Sequence, residues 1–138
     1  MIFGNMFRQV NLMQRGMDAA WAREEVITNN IVNADTPGYK VQHVAFESMM
    51  QAALAGEGGL EGSTTNPKHF KIGGPSDPLK VTPVTLTDMH YTARMDGSNV
   101  NIDQEMSELA ENYIRYSAMQ TQVSSEFNRL RMVIREGN

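Results

Sequence analysis

No cysteine occurs among the 138 residues, which excludes disulfides, thiolate metal sites and a cysteine nucleophile. Lysine and arginine number only 12 against 16 acids. That balance, with no basic block, argues against nucleic acid as the main partner. No apolar run approaches the roughly 18–20 residues that span a bilayer, so no direct membrane span is expected. The opening MIFGNMFRQVNLMQRG is interrupted at Gly4, Asn5 and Arg8, and no signal-peptide apolar core forms there. Proline is absent from residues 1–34, and residues 99–136 hold neither proline nor glycine. All five prolines and most of the glycines fall between those stretches, as do all four lysines.

Helix breakers gathered in one place describe a helix–irregular–helix plan. Phe3, Met6, Val10, Met13, Met17, Ala20, Ile27, Ile31 and Ala34 recur at alternating spacings of three and four, broken only at Glu24. Ile102, Met106, Leu109, Tyr113, Tyr116, Val123, Phe127, Leu130 and Ile134 repeat the pattern, broken at Gln120. A period near 3.5 sustained over four heptads marks a coiled-coil seam. The expected fold is therefore mainly α, with residues 1–34 and 99–138 paired as an antiparallel coiled coil. Apolar residues also lie off these seams: Phe7, Trp21 and Val32 in the first segment, Ile114, Met132 and Val133 in the second. A helix apolar on more than one face needs more than one neighbour.

Local signals place the boundaries. Asn101 is a natural N-cap, and Gln104 stands where a capping box would close. Acids crowd the start of the second helix and arginines its end, in line with the helix dipole. Glu111 and Arg115 are spaced to pair across one turn. The first helix should stop near Asn33, in the left-handed position, ahead of Pro37. Thr36-Pro37-Gly38-Tyr39 has type II turn chemistry. Between the helices, residues 35–98 form the irregular middle. It should hold an extended stretch at Tyr39–His43, a short helix near 46–55 ended by Gly56, and a flexible loop over 56–78. Two short strands within 79–95 are expected, with Pro83 limiting them.

No catalytic constellation emerges. His43, His69 and His90 match no local metal-ligand spacing, so neither a metal nor another cofactor is expected. Gly56, Gly58, Gly59 and Gly62 lack the Lys-Ser/Thr pair of a phosphate loop. A coiled-coil regulator or export chaperone gripping a partner helix is the alternative from another functional class. The glycine- and proline-rich middle argues against it.

The most specific run is ITNNIVNADTPGYK, residues 27–40. It resembles the signature closing the N-terminal helix in axial proteins of the bacterial flagellum, the rod, hook and hook-associated subunits. TNPKHF at 65–70 and DGSNVNIDQEMSELAENYIRY at 96–116 extend the resemblance over nearly the whole chain. The short middle is similar to that of the proximal rod subunits. QRGMDAAW stands where FlgC-type subunits carry Ser-Gly-Leu. The resemblance implies a structural, non-enzymatic subunit of the basal body rod in the cell envelope. Such a subunit is exported by the flagellar type III apparatus without a cleaved signal. Implied partners are further copies, FlgC-like and FlgF-like rod proteins, the adaptor FliE and the MS-ring protein FliF. The motif residues are Asn30, Asn33, Ala34, Asp35, Thr36, Pro37, Gly38 and Tyr39. Asn30 and Tyr39 are expected to touch neighbouring subunits as well.

Overall fold

A computed structural model describes residues 2–56, 77–89 and 95–136; within the first helix the side chains of residues 2, 3, 5 and 6 are not described, nor is that of residue 136. Helix α1 spans Ile2–Val32 and helix α3 spans Ile102–Glu136. Between them lie strand β1 (Gln42–Ala45), helix α2 (Glu47–Ala55), a single 3-10 turn (Pro78–Lys80) and strand β2 (Val84–Thr87). No described helix is long and apolar enough to cross a membrane. The expected loop over 56–78, TNPKHF, His69 and His90 fall mainly or wholly outside the described residues, as do the side chains of Phe3 and Met6.

The two long helices pack together and run antiparallel. The Asn30 side chain meets Glu105, the Ala20 carbonyl accepts from Asn112, and Gly16 lies against Met119. As α1 is followed toward its start, its partners advance along α3. At Gly16 the approach is close, since a Cβ there would stand 2.8 Å from the Met119 sulfur.

The contact face is turned from the expected one. On α3, Leu109, Tyr116, Val123 and Leu130 are half-buried, while Glu105, Asn112 and Glu126 are buried. With half-buried Met119 these positions repeat at spacings of four and three. Ile102, Met106, Tyr113, Phe127 and Ile134, expected in the seam, are instead exposed. On α1, Ala20, Ile27 and Ala34 are buried as expected, with Val10, Met13, Met17 and Ile31 half-buried. The residues completing the α1 contact face are Gly16, Arg23 and Asn30, whereas Glu24 is exposed. Helix α3 thus buries a polar set and leaves an apolar set outside, whereas α1 buries mainly apolar residues with Asn30 among them. Asn30 bonds Glu105 and Asn112 Nδ2 donates to the Ala20 carbonyl across the pair. Glu126 is instead held within α3 by Gln122 and Arg129, and Asn112 Oδ1 has no partner among the described residues.

The flank of α1 next to this seam carries the apolar core. Ala19 and Val26 pack with Val44, Phe46, Ala53 and Val81, and Ala22, Met49 and Met50 close the edges. The middle segment therefore folds down onto α1. Strand β1 begins three residues later than the expected stretch and pairs antiparallel with β2, Gln42 opposite Thr87 and Ala45 opposite Val84. Pro83 immediately precedes β2, where its missing N–H costs the ladder nothing. Helix α2 follows Phe46 and ends at Gly56 in the left-handed conformation, φ 74°, as its sequence predicts.

Two caps differ in detail. Asn101 Oδ1 accepts from the backbone N–H groups of Asp103 and Gln104, the expected N-cap. Gln104, however, donates to Glu108, so no reciprocal capping box forms. At the end of α1 no non-glycine residue has positive φ, so Asn33 is not left-handed. The chain leaves the helix through tight turns instead, Ala34 N–H to the Ile31 carbonyl and Thr36 N–H to the Asn33 carbonyl. The Asn33 side chain caps the Asn29 carbonyl.

Candidate functional site

The motif after α1 and the segment before α3 form one clasp, with Asn30 at its centre. Asn30 is fully buried. Its Nδ2 donates to the Gln42 carbonyl (2.7 Å) and to Glu105 Oε2 (3.0 Å). Its Oδ1 accepts from the Gln42 N–H (3.0 Å) and the Tyr39 hydroxyl (3.2 Å). A primary amide offers two donors and two acceptor sites, and all four are taken within the chain. The side chain meets Gln42 as a neighbouring strand would, receiving its N–H and capping its carbonyl. One residue thus ties α1, β1, the turn and α3 together.

The turn predicted over Thr36–Tyr39 forms, with Tyr39 N–H bonded to the Thr36 carbonyl and Gly38 at φ 74°. Gly38 N–H donates to the Asp96 carbonyl. Gly97, at φ 81°, lies so close that a Cβ on it would sit 3.5 Å from the Gly38 Cα. Lys40 Nζ reaches the Gly97 carbonyl (2.9 Å), and Asn99 Oδ1 accepts from the Val41 N–H (2.7 Å). Ser98, wholly buried, donates to the Ala34 carbonyl. Thr36 Oγ1 lies 3.3 Å from Asn33 Oδ1. Of the motif residues, Asn30 and Ala34 are buried, Asn33 and Tyr39 half-buried, and Asp35, Thr36, Pro37 and Gly38 exposed.

Electrostatics at the clasp follow from burial. Desolvation raises the Glu105 pKa, and repulsion from Glu108 adds to it, against the Asn30 hydrogen bond and the charge of His43. Burial likewise raises the Tyr39 hydroxyl, with the Glu105 charge acting in the same sense. A second polar cluster anchors α2. Arg23 Nη2 donates to both Glu47 oxygens at 2.7 Å, Arg115 stands 3.6 Å from Glu47, and Arg115 pairs with Glu111 as the spacing predicts. Burial acts to raise the Glu47 pKa, but the Arg23 hydrogen bond and the charges of Arg23 and Arg115 outweigh it and lower the pKa.

Nothing in the clasp is arranged for catalysis. Its polar groups are consumed by one another, and among the described residues no group of His, Asp and Glu is placed to hold a metal. Sequence reasoning singled out Asn30 but missed Gln42, Ser98, Asn99 and Lys40. Lys40, Ser98 and Asn99 bond backbone groups more than ten residues away, and Gln42 offers its own backbone to the Asn30 side chain, which no local spacing reveals.

On the flank away from the middle segment, the helix pair presents an apolar groove of about 540 Å³, lined by Glu24, Met106, Leu109, Ala110, Tyr113 and Ile114, with Asn112 at its floor. Of the exposed seam residues of α3, Met106 and Tyr113 line it.

The model of the family described as flagella basal body rod protein matches residues 11–40, the stretch of α1 and turn that ends in the clasp. The chain is 32% identical to the flagellar basal body rod protein FlgB of Bacillus subtilis over 125 residues, 91% of this chain and 92% of that protein. It is 33% identical to FlgB of Borrelia hermsii over 137 residues, 95% and 99% of the two chains. Against FlgB of Salmonella typhimurium identity is 26% over 133 residues, 94% of each. With the paired helices, the motif turn and near-complete coverage all in agreement, the chain belongs to the FlgB family of flagellar basal body rod proteins.

Proposed function

We propose that this chain is a structural subunit of the proximal rod in the flagellar basal body. It polymerises through its terminal helices around the axial export channel and carries torque. The observation that supports this most is the inverted face of α3, with Glu105, Asn112 and Glu126 buried and Met106, Tyr113, Phe127 and Ile134 exposed. Exposed large side chains along a helix call for neighbours, and a repeated heterologous contact that does not close builds a helical assembly. Its neighbours in this reading are further copies, FlgC-like and FlgF-like subunits, the adaptor FliE and the MS-ring protein FliF. It reaches the cell envelope through the type III apparatus without a cleaved signal. The clasp is the part that fixes how the helices leave the middle segment, and no enzymatic step is assigned to it.

Deletion of the gene, followed by complementation, tests the reading. The expected result is a non-motile strain whose basal bodies lack a rod, restored by the wild-type chain. Flagellated, swimming deletion cells would overturn it.

A further inference from the structure

Helix α1 lacks the terminal charges that complement a helix dipole. It has no acid in its first turn and no base in its last. Arg8 and Arg15 lie in its first half, and Asp18, Glu24 and Glu25 in its second, where Arg23 is turned toward Glu47. Helix α3 follows its dipole, with Asp103 and Glu105 at its start and Arg135 at its end. Because the helices are antiparallel, the two patterns add. Arg8, Arg131 and Arg135, with Arg129 paired to Glu126, lie toward the free tip of the pair, while Glu24 lines the apolar groove and Glu25 the adjoining hollow that Glu24 shares. Among the described residues Arg8, Arg131 and Arg135 make no ion pair, and neither do Glu24 and Glu25. The tip is also apolar, with Phe127, Met132, Val133 and Ile134 all exposed. The groove offers the matching surface, with Tyr113 71% and Ile114 65% exposed, and Trp21, 69% exposed, borders Glu24 and Glu25 on the same side.

We propose that the groove beside Glu24 and Glu25 receives the basic, apolar helix tip of a second copy of this chain. The proposal rests on the rod-subunit reading and names the faces that meet in it. The carboxylates of Glu24 and Glu25 face Arg131 and Arg135 of the neighbour, and the tip's apolar residues cover Met106, Tyr113 and Ile114. Tip and groove are different surfaces, so the contact is heterologous and propagates. Roughly twenty residues of α3 separate them, so successive copies are offset along the helix axis by about 30 Å.

Charge exchange tests this on the purified full-length chain. Glu24→Lys with Glu25→Lys makes the groove basic, and Arg131→Glu with Arg135→Glu makes the tip acidic. All four positions are exposed, so helicity by circular dichroism should be unchanged in both variants. In sedimentation velocity the wild type should associate with rising concentration. Each variant alone should associate at least tenfold more weakly, because like charges then face each other. Mixing the two variants should restore association, since each supplies the complement of the other. The proposal is overturned if either variant alone associates as the wild type does, if the mixture stays monomeric, or if the wild type never self-associates. A failure here leaves the rod reading to the deletion strain, which does not depend on which faces meet.

Discussion

Replacing Asn30 by alanine removes the group on which four segments converge. The Gln42 N–H and carbonyl and Glu105 Oε2 each lose a partner in or near the interior, and the Tyr39 hydroxyl loses its acceptor. Leaving a buried polar group unpaired costs about 1–3 kcal/mol. The Tyr39 hydroxyl sits on a half-buried residue and recovers water, so three groups carry most of the loss. Alanine's better helix propensity returns about 0.5 kcal/mol. At the low end of that range for each of the three groups, the net expectation is a destabilisation of at least about 2.5 kcal/mol, a large part of the roughly 5–15 kcal/mol typical of a whole domain. Urea unfolding followed at 222 nm measures it. Asn30→Asp is the companion variant, since it keeps the acceptor but sets a second carboxylate against Glu105. It should lose at least as much at neutral pH and recover part of the loss on acidification, when one proton is shared. A cost below about 1 kcal/mol for Asn30→Ala would refute the reasoning, because the four bonds would then contribute nothing beyond water.

Three further outcomes follow from the same geometry. Glu105 has a raised pKa in the folded state, so its ionised form costs stability above that pKa and the cost fades as pH falls through it. Glu105→Gln keeps an acceptor for Asn30, so it should raise the urea midpoint at neutral pH and flatten stability against pH just above the ordinary carboxylate range. Glu47 has the opposite sign: its lowered pKa gives stability present above the ordinary carboxylate value and lost as pH falls through the folded one. Arg23→Ala should weaken that acid dependence, leaving the share that Arg115 supplies, at a cost of only about 1 kcal/mol, since Glu47 is largely exposed, and high salt should shrink the difference. Gly97→Ala places a Cβ on a left-handed residue and should cost about 1–2 kcal/mol in the same unfolding assay.

The sequence gives away the helices because breakers cluster between them, and Asn101 and Gly56 mark ends through local chemistry alone. The seam is harder to read. Leu109, Tyr116, Val123 and Leu130 fit two heptad registers, completed either by Met106, Tyr113 and Phe127 or by Glu105, Asn112 and Glu126. Hydropathy selects the first set, and the structure buries the second. What decides is hydrogen bonding across seventy or more residues, Asn30 to Glu105 and Asn112 to the Ala20 carbonyl, which no single-helix pattern contains. The clasp is legible in part for the same reason. Pro37 and Gly38 announce the turn, but Gly97, Ser98 and Asn99 acquire meaning only once α3 is folded back beside it. The residues mistaken for the interior are informative in their own right, since they mark the surface left for neighbours.

That surface is where the account is most directly tested. The chain has no cysteine, so Tyr113→Cys introduces a single thiol on the open flank. In the free chain this thiol should react with a soluble maleimide as readily as in urea. In purified basal bodies it should be protected by at least tenfold and regain full reactivity when the rod is dissociated. Equal labelling of free and assembled chain would mean that nothing covers the groove in the rod. The exposed apolar stripe would then not be an assembly surface.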